Sequence, residues 1–182
     1  MLIVFSGLPG TGKSTLARMM ATRLSSVYLR IDTIEQAIRS SDVLAGEVGP
    51  AGYIVAYQIA ADNLRVGRSV VADSVNPLQV TRESWVEIAQ KSNARLIEVE
   101  IICSDETEHR QRIEQRTSDI DGLRLPTWEV VMRLKYEPWR TPPIVIDTAH
   151  KTVQEAQDEL YRRIIEACSL KPYARGGSEG VD

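Results

Sequence analysis

The stretch SGLPGTGKST, residues 6–15, follows the apolar run MLIVF and leads straight into LARMMATRL. Gly7, Gly12, Lys13 and Ser14 fit the spacing G-x-x-x-x-G-K-[ST], with the strand before and the helical pattern after that the motif needs. Glycines allow positive φ angles and close backbone approach, so successive N–H groups can ring a phosphate, and the new helix turns its positive end to the same anion. Residues Gly7, Leu8, Pro9, Gly10, Thr11, Gly12, Lys13, Ser14 and Thr15 are therefore predicted to hold a nucleoside triphosphate, ATP. Lys13 is placed to reach the β and γ phosphates, and the Ser14 hydroxyl to join the coordination of Mg²⁺.

The rest of the chain supplies a sheet for this loop. Short runs rich in Val, Ile and Leu recur at 2–5, 27–31, 69–73, 95–102 and 144–147, each fit to be a buried parallel strand. Helical patterns fill the intervals at 13–24, 32–39, 51–66, 78–91, 105–116, 127–136 and 152–167. Alternation of this kind predicts an α/β fold with a doubly wound five-stranded parallel sheet. The helix after Pro50 is expected to stop at Gly67. The segment TSDIDGLRLP, 117–126, lacks apolar periodicity and reads as a surface loop or lid within a helical lid region spanning about 112–136. Residues 1–170 are read as one domain, and the tail KPYARGGSEGVD from 171, with adjacent glycines, as disordered.

Composition narrows the partners. With 25 acidic and 22 basic residues among 182 and a net charge of −3, no like-charge run offers a footprint for extended nucleic acid, so a small acceptor is expected. Cys103 and Cys168 lie far apart without metal or disulfide spacing, which fits a reducing compartment. With no secretory leader and no 18-residue apolar run, the expectation is a cytoplasmic protein that does not enter a membrane.

The residues beyond the loop decide between hydrolysis and transfer. The third strand ends at Asp73 and continues SVNP, without the glutamate that would activate water, and no NKxD guanine-reading motif occurs. Transfer to a bound acceptor is therefore favoured. Asp32 and Asp73 are each read as the last residue of a strand, so both should meet the phosphate loop in one crevice. Asp32 is read as the base that accepts the acceptor's hydroxyl proton, a role compatible with capping the helix at 32–39. Asp73 could hold Mg²⁺ through water or bind the acceptor. Arg112 and Arg116, four apart at the end of a helix, are candidates to close over the transferring phosphate; Arg116 comes first, then Arg112, then Arg124.

On GLPGTGKSTLA, Asp32, Asp73, the RxxxR of Arg112 and Arg116 and the later LPTWEVVMRLKYEPW, the chain resembles the AAA_33-type P-loop kinases over about residues 1–150. That group includes chloramphenicol phosphotransferase, the kinase domain of polynucleotide kinase, gluconate kinase and, more distantly, adenylylsulfate kinase. The resemblance implies a nucleoside-kinase-like P-loop NTPase fold, Asp32 as general base and Arg116 as the lid arginine, with Pro126 and Tyr136 completing the pattern. It also implies adenine held between a lid-base arginine and DTAHKT, 147–152. One departure matters. Polynucleotide kinases carry a phosphate-holding arginine three residues after the base, where this chain has Glu35, leaving Arg39 as the nearby candidate. Tyr53, Tyr57 and Gln58 on the next helix look closer to a small-molecule pocket, and Trp128, Tyr136 and Trp139 either line the acceptor site or pack. His109 and His150 have no partner motif and are assigned no catalytic or metal role. The expectation is an ATP- and Mg²⁺-dependent kinase acting on a small hydroxyl compound, with a 5′-hydroxyl polynucleotide kinase and a non-catalytic ATP-binding regulator as alternatives.

Overall fold

The computed structural model describes residues 1–41 and 46–169; the predicted tail from 171 lies outside them. In chain order the elements are β1 (Leu2–Ser6), α1 (Lys13–Arg23), β2 (Val27–Arg30), α2 (Ile31–Ser40), α3 (Ala51–Arg65), β3 (Val70–Asp73), α4 (Gln79–Lys91), β4 (Leu96–Ile102), α5 (Glu106–Gln115), α6 (Trp128–Met132), β5 (Ile144–Asp147) and α7 (Val153–Ser169). The strands form one sheet in the order β2-β3-β1-β4-β5, every pair parallel.

β1 shows why the sheet is covered on both sides. All five of its residues are buried. Ile3 and Phe5 join Leu16 and Met20 of α1 and Leu160 and Ile164 of α7, while Leu2 and Val4 join Ala56 and Ala60 of α3 and Trp85 of α4. A strand with no polar face must be sandwiched by helices, and parallel connections supply them. Among the described residues, no helix is long and apolar enough to cross a membrane.

Register then gathers the strand ends. Asp73 pairs with Phe5 on one side and Arg30 on the other, so the tips of β3, β1 and β2 stand together beside the loop that follows β1. Strand order reverses about β1, and the crevice beyond those tips is where an open α/β sheet binds ligands.

Three boundaries differ from expectation. β2 stops at Arg30 and α2 starts at Ile31, so Asp32 is neither a strand residue nor an N-cap but stands in the first helical turn. Ile31, 2% exposed, docks into the core and starts the helix early; Asp32 keeps its place at the crevice, in the turn where the helix dipole favours a carboxylate. α5 ends at Gln115, and Arg116 follows in extended conformation rather than on the helix face shared with Arg112. α6 closes at Met132, short of the expected 136. There the chain is claimed by other partners: the Glu137 amide donates to the Pro77 carbonyl at 2.8 Å, and the Glu137 carboxylate accepts from the Gln79 amide at 2.7 Å.

Arg82 anchors this return. It is 1% exposed, its Nε donates to the Asn76 carbonyl at 3.1 Å and its Nη1 to the Glu137 carbonyl at 2.8 Å. Its guanidinium lies 3.9 Å from the Trp139 ring centroid and 5.0 Å from that of Tyr136. Tyr136 and Trp139 thus pack on Arg82, and Trp128 packs edge-on against His109, its centroid 5.3 Å away. Arg82→Leu is expected to strand these carbonyls and cost about 3 kcal/mol, a fall in Tm of about 6–12 °C by calorimetry; an unchanged Tm would assign the segment after α6 to other contacts.

Candidate active site

The phosphate loop is shaped by what holds its carbonyls. The Thr11 hydroxyl donates to the Leu8 carbonyl at 2.9 Å, His109 Nε2 meets the Pro9 carbonyl at 2.8 Å, and the Thr148 hydroxyl donates to the Thr11 carbonyl at 2.9 Å. With those oxygens turned outward, the amides of the loop and of the first turn of α1 are left to face the crevice. Gly12 caps α1 at φ 88°, a left-handed conformation suited to glycine. Gly10, also at positive φ, passes so near Ile113 of α5 that a Cβ there would stand 2.5 Å from its side chain.

Lys13 and Asp73 form the electrostatic centre of the site. The Lys13 ammonium lies 2.9 Å from Asp73 Oδ1, with 7% and 1% of the two side chains exposed. The Tyr28 hydroxyl donates to the other oxygen at 2.7 Å. Burial alone would push the Asp73 carboxyl up, but Lys13, the Tyr28 hydroxyl and the Ser14 hydroxyl together hold it below the usual carboxylate range. The same contacts place Asp73 beside Ser14. Among the described residues, no group of three or more His, Cys, Asp or Glu side chains is arranged to hold a metal ion. One hydroxyl and one carboxylate make a sparse donor set, and it fits Mg²⁺, which keeps waters and takes phosphate oxygens.

The crevice opens into a cavity of 1260 Å³, lined by the loop, Asp32, Glu35 and a set of arginines. Asp32 is 39% exposed and stands 3.8 Å from Arg30 Nε. Arg116 lines the same cavity; its Nε and Nη2 are buried without a hydrogen-bond partner. Burial pushes the Arg116 guanidinium down, while Asp32 pulls it up. Glu35 pairs with Arg39 at 3.4 Å, and burial and then Asp32 push its carboxyl up.

The two arginines of the RxxxR pattern part company. Arg112 Nη1 donates to the Thr148 hydroxyl at 2.8 Å and Nη2 to the Thr148 carbonyl at 2.9 Å, with Glu108 at 2.5 Å. Arg112 also walls a smaller cavity of 230 Å³ formed with Thr15, Leu16, Thr148, Lys151 and Val153. That cavity sits where the resemblance put adenine. Arg124 lines the large cavity. Tyr53 and Tyr57 do not line it: Tyr53 accepts from the Asn76 amide at 3.0 Å, Tyr57 donates to the Thr81 carbonyl at 3.1 Å, and Gln58 is exposed.

Sequence reasoning missed four residues. Tyr28 seats Asp73, His109 braces the loop, and Arg18 and Arg30 carry a lid residue, Asp119. Arg18 lies one helical turn after Ser14 and Arg30 two residues before Asp32, so period could have marked both; nothing in the sequence marks Tyr28 or His109. His150 is exposed and faces Asp105 and Glu108 at 3.2 and 3.5 Å.

A glycine-rich phosphate loop at the end of β1, a buried Lys–Asp pair beside it and a carboxylate, Asp32, in the first turn of α2 are set on a P-loop nucleotide-binding fold of kinase-like build. The chain belongs to the AAA_33 family, described as an AAA domain, whose model matches residues 2–136. Among curated proteins no sequence matches it. Similar solved structures include Kti12 of Chaetomium thermophilum in complex with ADP-AlF3, 20% identical with TM-score 0.68, covering 92% of this chain and 98% of that one. The adenylylsulfate (APS) kinase CysC of Mycobacterium tuberculosis with AMPPNP and APS is 17% identical with TM-score 0.64, covering 90% and 96%. A gluconokinase of Sinorhizobium meliloti is 17% identical with TM-score 0.60, covering 92% and 97%. At these identities the likeness is one of fold.

The Lys13–Asp73 pair has a pH signature. A carboxylate depressed in the folded state contributes stability that is full above its unfolded value and lost as pH falls through the lower folded value. Lys13→Met removes the partner and leaves a buried charge, so it is expected to cost about 3 kcal/mol at pH 7. The loss should shrink toward pH 4, as the mutant's Asp73 takes up a proton. Urea unfolding across pH 4–7 checks this; a loss independent of pH would remove Asp73 from the account.

Proposed function

We propose that the chain is an ATP- and Mg²⁺-dependent kinase that moves the γ phosphate to a hydroxyl of a small molecule. The observation that carries this reading is Arg116, whose Nε and Nη2 are buried without a hydrogen-bond partner in the cavity that also holds Asp32 and Lys13. A cation kept unpaired in a nucleotide crevice costs stability and suits charge that arrives with substrate.

In this reading the loop amides and Lys13 hold the β and γ phosphates, and adenine enters the cavity walled by Arg112 and Thr148. Ser14 and Asp73 would hold Mg²⁺, which would supply positive charge to the phosphate oxygens. Asp32 accepts the acceptor's hydroxyl proton as the new oxygen–phosphorus bond forms and the bond to the β-phosphate oxygen breaks, releasing ADP. Arg116 stabilises the charge spread over the moving group. Arg112 lines both the large cavity and the base cavity, with its guanidinium held by Thr148 and Glu108, and in this reading it supports Arg116 from the base of the lid.

Asp32→Asn is expected to lower kcat by about 10²–10⁴ while ATP-analogue affinity stays within about twofold, in an acceptor screen with labelled ATP over antibiotics, sugars, nucleosides and adenylylsulfate. Wild-type turnover in the variant would sink the base assignment. The arginines lining the cavity give a 5′-hydroxyl nucleic acid end the second place; end-labelling of short oligonucleotides with a steep salt dependence would favour it. ATP binding with no acceptor-stimulated turnover would mark a regulator.

A further inference from the structure

The lid loop between α5 and α6 reaches back across the mouth of the crevice at one point. Asp119 Oδ2 lies 2.5 Å from Arg18 Nη2 and Asp119 Oδ1 lies 2.7 Å from Arg30 Nη1, so one carboxylate bridges two arginines that lie about a hundred residues earlier in the chain. Those arginines are not equivalent. Arg18, on α1, is 54% exposed, whereas Arg30, at the tip of β2, is 14% exposed and is hemmed in by Asp32 and Asp73, each 3.8 Å from its Nε. That Nε is itself buried without a hydrogen-bond partner. Arg30 is thus fixed by the fold next to the catalytic carboxylate, and Asp119, 50% exposed, is the replaceable partner. Exposed ion pairs of this kind contribute little and exchange readily.

Charge points the same way. Six arginines line the cavity, namely Arg18, Arg30, Arg39, Arg112, Arg116 and Arg124, together with Lys13. Against these seven cations stand Asp32, Glu35 and Asp119 on the wall, Asp73 behind Lys13 and Glu108 on Arg112. The surplus is positive in a chain whose net charge is −3. Magnesium-bound ATP brings roughly two negative charges, which about offsets that surplus, and positive charge is left over once Asp119 has moved off Arg18 and Arg30.

We propose that the acceptor carries an anionic group, a carboxylate, sulfate or phosphate, which takes the place of Asp119 on Arg18 and Arg30 while its hydroxyl lies at Asp32. The 3.8 Å between Arg30 Nε and Asp32 sets the two groups within a few bonds of each other. Asp119 is then an internal stand-in for the substrate anion, and it raises the threshold for compounds without one. The hydroxyl part of this proposal rests on the kinase reading; the anion part does not.

The test reads binding apart from turnover. With a non-hydrolysable ATP analogue filling the phosphate loop, inorganic sulfate, inorganic phosphate and D-glycerate are titrated into wild type, Asp119→Ala, Arg30→Gln and Arg18→Gln by calorimetry. One anion per chain is expected, with affinity about fivefold to tenfold tighter in Asp119→Ala. Affinity should be lost in Arg30→Gln and weakened in Arg18→Gln, an exposed position that keeps the test alive should Arg30→Gln fail to fold. The ligand with the tightest value names the anion class. Equal affinity in wild type and Asp119→Ala, weaker binding in Asp119→Ala, or binding that is undiminished by loss of either arginine overturns the proposal. Turnover of a neutral acceptor without anion binding would overturn it and leave the kinase reading intact. Anion binding without turnover of any acceptor would do the reverse.

Discussion

A loop of amides can hold a polyphosphate only if its carbonyls are kept from turning in. Here that constraint is met from three directions, by Thr11 within the loop, His109 on α5 and Thr148 after β5. Each tie fixes more than the loop. His109 and Ile113 press α5 onto Gly10, so the helix that leads to Arg112 and Arg116 is seated on the phosphate cradle itself. Thr148 binds Thr11 and Arg112 at once and joins the end of β5 to the loop and to α5. The lid therefore has a rigid base and only its far loop is free to change partners.

The buried Lys13–Asp73 pair governs the other half of the site. A buried pair is seldom a net source of stability, since desolvation offsets much of the attraction. Its value here is position: with Lys13 on one oxygen and Tyr28 on the other, Asp73 is held ionised beside Ser14. This half of the crevice is thus closely paired, whereas in the other half the charged groups Asp32, Arg30 and Arg116 are left incompletely paired. Such asymmetry suits a protein whose first ligand is fixed by the fold and whose second ligand completes the electrostatics.

The residues that could be read from the sequence are those whose role derives from chain period. The phosphate loop, the five strands and Asp73 all fall where alternation and spacing put them, because a buried parallel strand and a glycine turn leave few choices. Asp32 stands at the expected place in space with a different local structure, since the docking of Ile31 starts α2 early and propensity does not register it. Arg112 and Arg116 look like one pair in the sequence, but the break at Gln115 takes Arg116 off the helix face that Arg112 occupies. Tyr136 and Trp139 could not be placed, because their partner Arg82 lies more than fifty residues earlier and reaches them only through the return after α6. Tyr28, His109 and the bridge at Asp119 belong to the same class of contact, made across the sheet or across the crevice and invisible to any window.

The bridge at Asp119 imposes a division of labour among cations. Lys13 is committed to Asp73 and Arg112 to Thr148, so neither is free to answer a second substrate. Arg30 and Arg116 remain, both flanking Asp32, one held in part by an exchangeable carboxylate and the other by none. An acceptor that satisfied only Arg116 would leave Asp119 in place and the mouth of the crevice partly filled. One that satisfied Arg30 as well would release the lid loop at the moment its hydroxyl met Asp32, coupling recognition of the acceptor to the freedom of the loop that must close over it.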